Sequence, residues 1–81
     1  MIINLEFFAV VREIAGVDNI KIEIPAGSNK KDLLKHVIKR WPKLKKSLEE
    51  VSFAVNEEFV FEDFKLKDKD EVCLIPPVSG G

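Results

Sequence analysis

The chain has 81 residues, 46% of them hydrophobic and 33% charged, with a net charge of −1 and one cysteine, Cys73. That length gives one domain and excludes a second core; a chain this short buries only about 60–65% of its unfolded surface, which favours a binding or carrier module over a self-contained enzyme. One cysteine excludes an internal disulfide and a Cys-based zinc site, and a reducing, cytoplasmic setting is expected.

The charge is unevenly spread. Residues 29–46 carry eight basic side chains against Asp32 alone, a net of +7. The remaining residues carry five basic and thirteen acidic groups, a net of −8. The opening run lacks a basic leader, so no signal peptide is expected. No apolar stretch approaches the roughly 20 residues needed to span a membrane.

Residues 2–10 alternate, with Ile3, Leu5 and Phe7 on one side and Ile2, Asn4, Glu6 and Phe8 on the other. That pattern predicts a half-buried strand. Residues 11–18 read as a helical turn stopped by Gly16. Residues 19–24 alternate again, with Ile20, Ile22 and Ile24 inward, until Pro25-Ala26-Gly27 breaks the strand. Ser28 is the expected N-cap of a helix whose apolar stripe is Leu33, Leu34, Val37, Ile38 and Trp41. Pro42 ends or kinks it. Residues 43–50 suggest a short second helical stretch carrying Leu44 and Leu48. Residues 51–56 read as a strand, Glu57-Glu58 as a turn, and residues 59–61 as a short returning strand. A last strand over residues 71–75 closes at Pro76-Pro77.

Packing one helix on one face of a small mixed sheet buries both apolar faces in two layers. The expected fold is therefore α+β, a ubiquitin-like β-grasp, with a domain over residues 1–77 and a flexible tail over residues 78–81. Pro76 and Pro77 donate no ladder hydrogen bonds, so strand pairing should stop there and the chain should project outward. Four residues then reach at most about 13–14 Å. Gly80 and Gly81 lack a Cβ and suit a narrow channel. The sequence thus ends on an arm tipped by the carboxylate of Gly81.

At these residues the chain resembles a family. Phe7-Phe8-Ala9 followed by Arg12-Glu13 and Gly16, then Ala54-Val55-Asn56, then Asp70-Glu71-Val72 and Pro76-Pro77-Val78-Ser79-Gly80-Gly81, resemble the small subunit of molybdopterin synthase, a ubiquitin-like sulfur carrier of the MoaD/ThiS type. The chain departs from that pattern at Lys69, where the family often has glycine. The resemblance implies that a ubiquitin-activating-type adenylyltransferase, using ATP and magnesium, joins the Gly81 carboxylate to AMP. A sulfur donor protein then converts it to a thiocarboxylate. The arm, Pro77 to Gly80, would insert into the large synthase subunit, where sulfur passes to cyclic pyranopterin monophosphate to build the dithiolene. It also implies a heterotetramer and no cofactor or metal bound by this chain itself. Related tail chemistry would serve thiamine thiazole synthesis, or an isopeptide bond to a target lysine in a ubiquitin-like modifier. A third alternative is an interaction module with an idle tail.

If Val72 and Leu74 face the core, Cys73 and Ile75 point outward. Phe8, Phe59 and Ile75 then form an expected apolar docking patch near the root of the tail, with Arg12 offered to an acidic partner or to the activating enzyme. Cys73 reads as a small hydrophobe on a strand and His36 as a solvated residue. The basic helix lacks interleaved aromatics for nucleic-acid stacking, since Trp41 belongs to the apolar stripe, so no nucleic acid is expected.

Overall fold

The structure, a computed structural model, describes residues 1–77. β1 (Ile2–Phe7) is followed by α1 (Ala9–Ala15), β2 (Asn19–Glu23) and α2 (Lys30–Arg40). Two 3₁₀ turns, Pro42–Leu44 and Ser47–Glu50, lead into β3 (Ser52–Val55), β4 (Glu58–Val60) and β5 (Glu71–Ile75). The sheet order is β2-β1-β5-β3-β4. β1 and β5 pair in parallel at its centre, and every other pairing is antiparallel. This is the mixed sheet of a ubiquitin-like β-grasp.

The alternation expected in β1 holds: Ile3, Leu5 and Phe7 are buried. They meet Ile22, Ile24, Phe53, Val72 and Leu74 from the other strands, and Leu33 and Val37 from α2. Trp41 packs edge-on to Phe7 with ring centroids 5.2 Å apart, a pair worth about 0.5–1.5 kcal/mol beyond its buried area. Leu44, Leu48 and Leu66 close the ends of this core. Only one face of the sheet is covered by α2, because the apolar set on every strand points to that side.

Several boundaries differ from the sequence expectation. β1 stops at Phe7 rather than residue 10, because Phe8 stays extended as the N-cap of α1 and Ala9 turns to a positive φ of 50°. Gly16 does stop α1, in the left-handed conformation at φ 79°. The N-cap of α2 is Asn29, not Ser28. Its side chain accepts from the Asp32 N–H at 3.0 Å, and the Asp32 carboxylate accepts the Asn29 N–H at 3.0 Å, a reciprocal capping box. Ser28 is buried one residue earlier, with its hydroxyl donating to the Pro25 carbonyl at 2.6 Å. The expected second helical stretch is two separate 3₁₀ turns. The β3–β4 turn sits at Asn56-Glu57, one residue early, with φ of 51° and 71°. Positive φ at both central residues matches a type I′ hairpin, whose twist suits the flanking strands.

The segment before β5 is held by side chains. Asp70, nearly buried, accepts from Asn56 Nδ2 at 2.9 Å and from the Lys67 N–H at 2.8 Å. Asn56 Oδ1 in turn accepts the Glu71 N–H at 3.0 Å. Lys69 takes a φ of 72° there and donates its N–H to the Ile2 carbonyl at 2.7 Å. The turn that favours glycine is thus kept with a lysine in it, at a steric cost. Replacing Lys69 by glycine relieves about 1–2 kcal/mol of left-handed strain, and loses about 0.5–1 kcal/mol of chain entropy. The expected net is a stabilisation of about 0.5–1 kcal/mol, raising Tm by about 2–8 °C in a thermal melt. An unchanged or lower Tm would show that the turn carries no strain.

Candidate functional site

β5 positions everything near the tail. It lies between β1 and β3, with Val72 and Leu74 buried and Cys73 and Ile75 on the opposite, uncovered face. Pairing register carries that face across four strands. Glu6 is opposite Cys73, Cys73 opposite Ala54, and Ala54 opposite Phe59. One step along, Ile75 is opposite Ser52. Phe8 follows Phe7, which pairs with Leu74, so Phe8 sits at the Ile75 end of the sheet. Phe8 is 38% exposed and Phe59 59% exposed. The register therefore brings Phe8, Ile75 and Phe59 to one face, Phe8 and Ile75 at the end from which Pro76 and Pro77 leave β5 and Phe59 further in, level with Cys73.

Arg12 lies one turn after Phe8, its N–H donating to the Phe8 carbonyl at 3.4 Å. Its Nε is 3.5 Å from Asp18 Oδ1, with both side chains well exposed. A solvated pair of this kind is worth at most about 1 kcal/mol, so the guanidinium is free to exchange partners.

Two features escaped the sequence reading. Phe61, 81% exposed, stacks on Phe59 with centroids 6.2 Å apart and planes 14° apart. Phe59 lies in β4, an edge strand that pairs only with β3 among the described residues, and Phe61 follows its last residue, Val60. Their i, i+2 spacing was the available signal. On α1, Val10 and Ile14 are exposed on one side, at i and i+4. That ridge was hidden while residues 2–10 were assigned to a strand.

Cys73 is not a nucleophile in this setting. Burial pushes its thiol up to about 11, helped by the hydrogen bond to Glu6 (Sγ to Oε2, 3.5 Å) and by the charges of Glu6, Glu71 and Glu57. The thiolate is the reactive form, and here it is scarce at neutral pH. Alkylation by iodoacetamide should therefore stay slow at pH 7 to 8 and accelerate as pH rises towards about 11. Because the folded value lies above the ordinary 9.0, any stability linked to the neutral thiol is present below pH 9 and is lost as pH climbs through 11. Fast labelling at neutral pH, read by mass spectrometry, would contradict this.

His36 is exposed on α2, beside Lys35 and Lys39. Among the described residues no group of three His, Cys, Asp or Glu is placed to hold a metal ion, and no helix is long and apolar enough to cross a membrane. The expected arm over residues 78–81, with Val78, Ser79, Gly80 and Gly81, lies outside the described residues; Pro77, at its root, is exposed.

The geometry is thus a β-grasp with one uncovered, partly aromatic sheet face beside the exit of its last strand. Comparison with known proteins agrees with that architecture. The ThiS family model matches residues 5–81. The molybdopterin synthase sulfur carrier subunit of Chlamydomonas reinhardtii is 42% identical over 83 residues, covering 100% of both chains. A putative molybdopterin converting factor, subunit 1, from Pyrococcus furiosus superposes with a TM-score of 0.86 at 36% identity, covering 96% of this chain and 99% of that one. In a complex of subunits 1 and 2 of the molybdopterin-converting factor from Helicobacter pylori, a chain superposes with a TM-score of 0.72 at 28% identity, covering 100% of both. With the family model spanning all but its first four residues, the chain belongs to the ThiS family, alongside the molybdopterin synthase sulfur carrier subunits.

Proposed function

We propose that this chain is the sulfur carrier subunit of a molybdopterin synthase and that its reactive group is the terminal carboxylate of Gly81. The observation that carries the reading is the end-to-end 42% identity to a protein of that name, with a family match running to Gly81. The chemistry follows from the weakness of a carboxylate as an electrophile. A partner adenylyltransferase uses ATP and magnesium. One carboxylate oxygen of Gly81 attacks the α-phosphorus, pyrophosphate leaves, and an acyl-adenylate forms. Hydrosulfide, handed over by a donor protein at the sulfide oxidation level, attacks the acyl carbon, AMP leaves and the proton passes to solvent. The product is a thiocarboxylate, whose sulfur is anionic at neutral pH and a good nucleophile.

The large synthase subunit then supplies the pocket in which this sulfur is passed to cyclic pyranopterin monophosphate. This chain supplies the atom and the reach, and the other catalytic side chains belong to the partner. In this reading the face bearing Phe8, Phe59 and Ile75 seats on the large subunit, holding Pro77 to Gly80 in its channel. Arg12 flanks that contact. The partner named in the Helicobacter pylori complex is of this kind, and two such pairs would make a heterotetramer.

Intact-mass analysis of protein purified from its own cells tests the reading. A fraction in which one oxygen is replaced by sulfur, localised to Gly81, is the expected result. Its complete absence, even after incubation with the activating enzyme, ATP and sulfide, would sink the proposal.

A further inference from the structure

The helix side of the molecule carries a feature that sulfur transfer at Gly81 does not use. Lys31, Lys35 and Lys39 stand at i, i+4 and i+8 along α2, all exposed. They form one row about 12 Å long. Lys43, Lys45 and Lys46 follow in the chain after the helix, also exposed. Like charges at i, i+4 repel and destabilise a helix. No ion pair in the described residues holds them: the one ion pair there is Arg12 with Asp18. Asp32, the only carboxylate of residues 29–46, is occupied in the capping box with Asn29. Two other cations of the segment are engaged elsewhere, with Lys30 Nζ 4.8 Å above the Phe53 ring and Arg40 4.9 Å above Trp41. The row is thus an unneutralised stripe on an otherwise acidic molecule.

A groove of about 440 Å³ runs beside it. Asp32, Lys35, His36 and Lys39 form one wall, and Pro25, Ala26 and Gly27 of the loop after β2 form the other, so the groove carries two lysines against one carboxylate already bonded to the Asn29 N–H. An extended or helical segment bearing carboxylates fits this arrangement, with its chain in the groove and its charges on the lysines. A nucleic acid fits less well. Trp41 is half-buried against Phe7 and covered by Arg40, so no base can stack there. A phosphate backbone running past the helix would also meet the net −8 of the remaining residues.

We infer that the α2 face is a second docking surface, built for an acidic segment of a protein partner. It lies on the opposite side of the sheet from Phe8, Phe59 and Ile75, because α2 covers the other face. An acidic partner can therefore hold the carrier while the tail and its sheet face are engaged elsewhere.

The test titrates the full, isotope-labelled chain with an oligo-glutamate peptide at about 0.1 M salt, where the Debye length is about 10 Å. Amide shifts should concentrate on residues 31–46. Reversing two charges of the row, Lys35→Glu with Lys39→Glu, should weaken binding about tenfold. The same charge change elsewhere, Lys21→Glu with Lys67→Glu, should leave it unchanged. Lys35→Glu alone should raise Tm slightly, because it turns two repulsive i, i+4 pairs into attractive ones against a single i, i+3 pair, with Asp32, that becomes repulsive. The inference is overturned by an absence of shifts on α2, or by equal weakening in both double variants. A lower Tm for Lys35→Glu, tighter binding of a single-stranded oligonucleotide of equal charge, or salt-dependent self-association without peptide would also overturn it.

Discussion

Adding a single residue after Gly81, or deleting Gly81, should abolish sulfur transfer while leaving the thermal melt unchanged. One extra residue moves the reacting carbon by about 3.3–3.6 Å. Displacement of reacting groups by about 1 Å costs on the order of 10²-fold in rate, so the loss should exceed that and fall below detection in a reconstituted assay. Deletion shortens the arm by the same length and brings Gly80 to the terminus. Neither change reaches the core, whose last buried side chains among the described residues are Val72 and Leu74. Two measurements on one sample decide the matter: product formed with the large subunit, and Tm. Full activity in the extended chain would remove Gly81 from its proposed role. A large fall in Tm would mean that the tail is part of the folded domain.

The elements that were legible in the sequence are those with one buried face. In β1 and β5 the period of two is unbroken, and a slip by one residue would expose Leu5 or Leu74, so sequence and structure agree on which side chains turn inward. Pro76 fixes where β5 ends because it has no N–H to pair. The start of α1 was not legible. Phe8 caps it without a side-chain hydrogen bond, and Phe8, Ala9 and Val10 prolong the apolar run of β1. Two cap-competent residues, Ser28 and Asn29, stood side by side, and tertiary contacts chose between them. Ser28 is held by Pro25, while Asp32, three residues after Asn29, completes the box, a signal that was available. The sheet order joins strands far apart in sequence and follows from no local pattern. The proposed docking face was half legible: alternation turned Phe8 and Ile75 outward, while the i, i+2 spacing of Phe59 and Phe61 was a signal left unread. The chemistry of Gly81 came from resemblance, since two terminal glycines state no reaction by themselves.

Phe59→Asp should weaken the complex with the large subunit by about 30-fold or more, a loss of about 2 kcal/mol, with little change in Tm. The side chain is 59% exposed and stacks only on the still more exposed Phe61, so the fold loses little burial when it is removed. In a complex the same ring would be desolvated on a face that continues through Ala54 to Cys73. A carboxylate there must be stripped of water without a fixed cation to meet it. It also joins Glu57, Glu58 and Glu71, already on or beside that face, and adds like charge. Phe59→Leu keeps an apolar side chain and should recover most of the affinity, which separates loss of burial from loss of shape. Adenylation of Gly81 by the activating enzyme gives a second readout: loss of synthase binding with adenylation intact would mean that the two partners grip different parts of the surface. Wild-type affinity in Phe59→Asp, measured by calorimetry, would show that the uncovered face of the sheet is not where the large subunit sits.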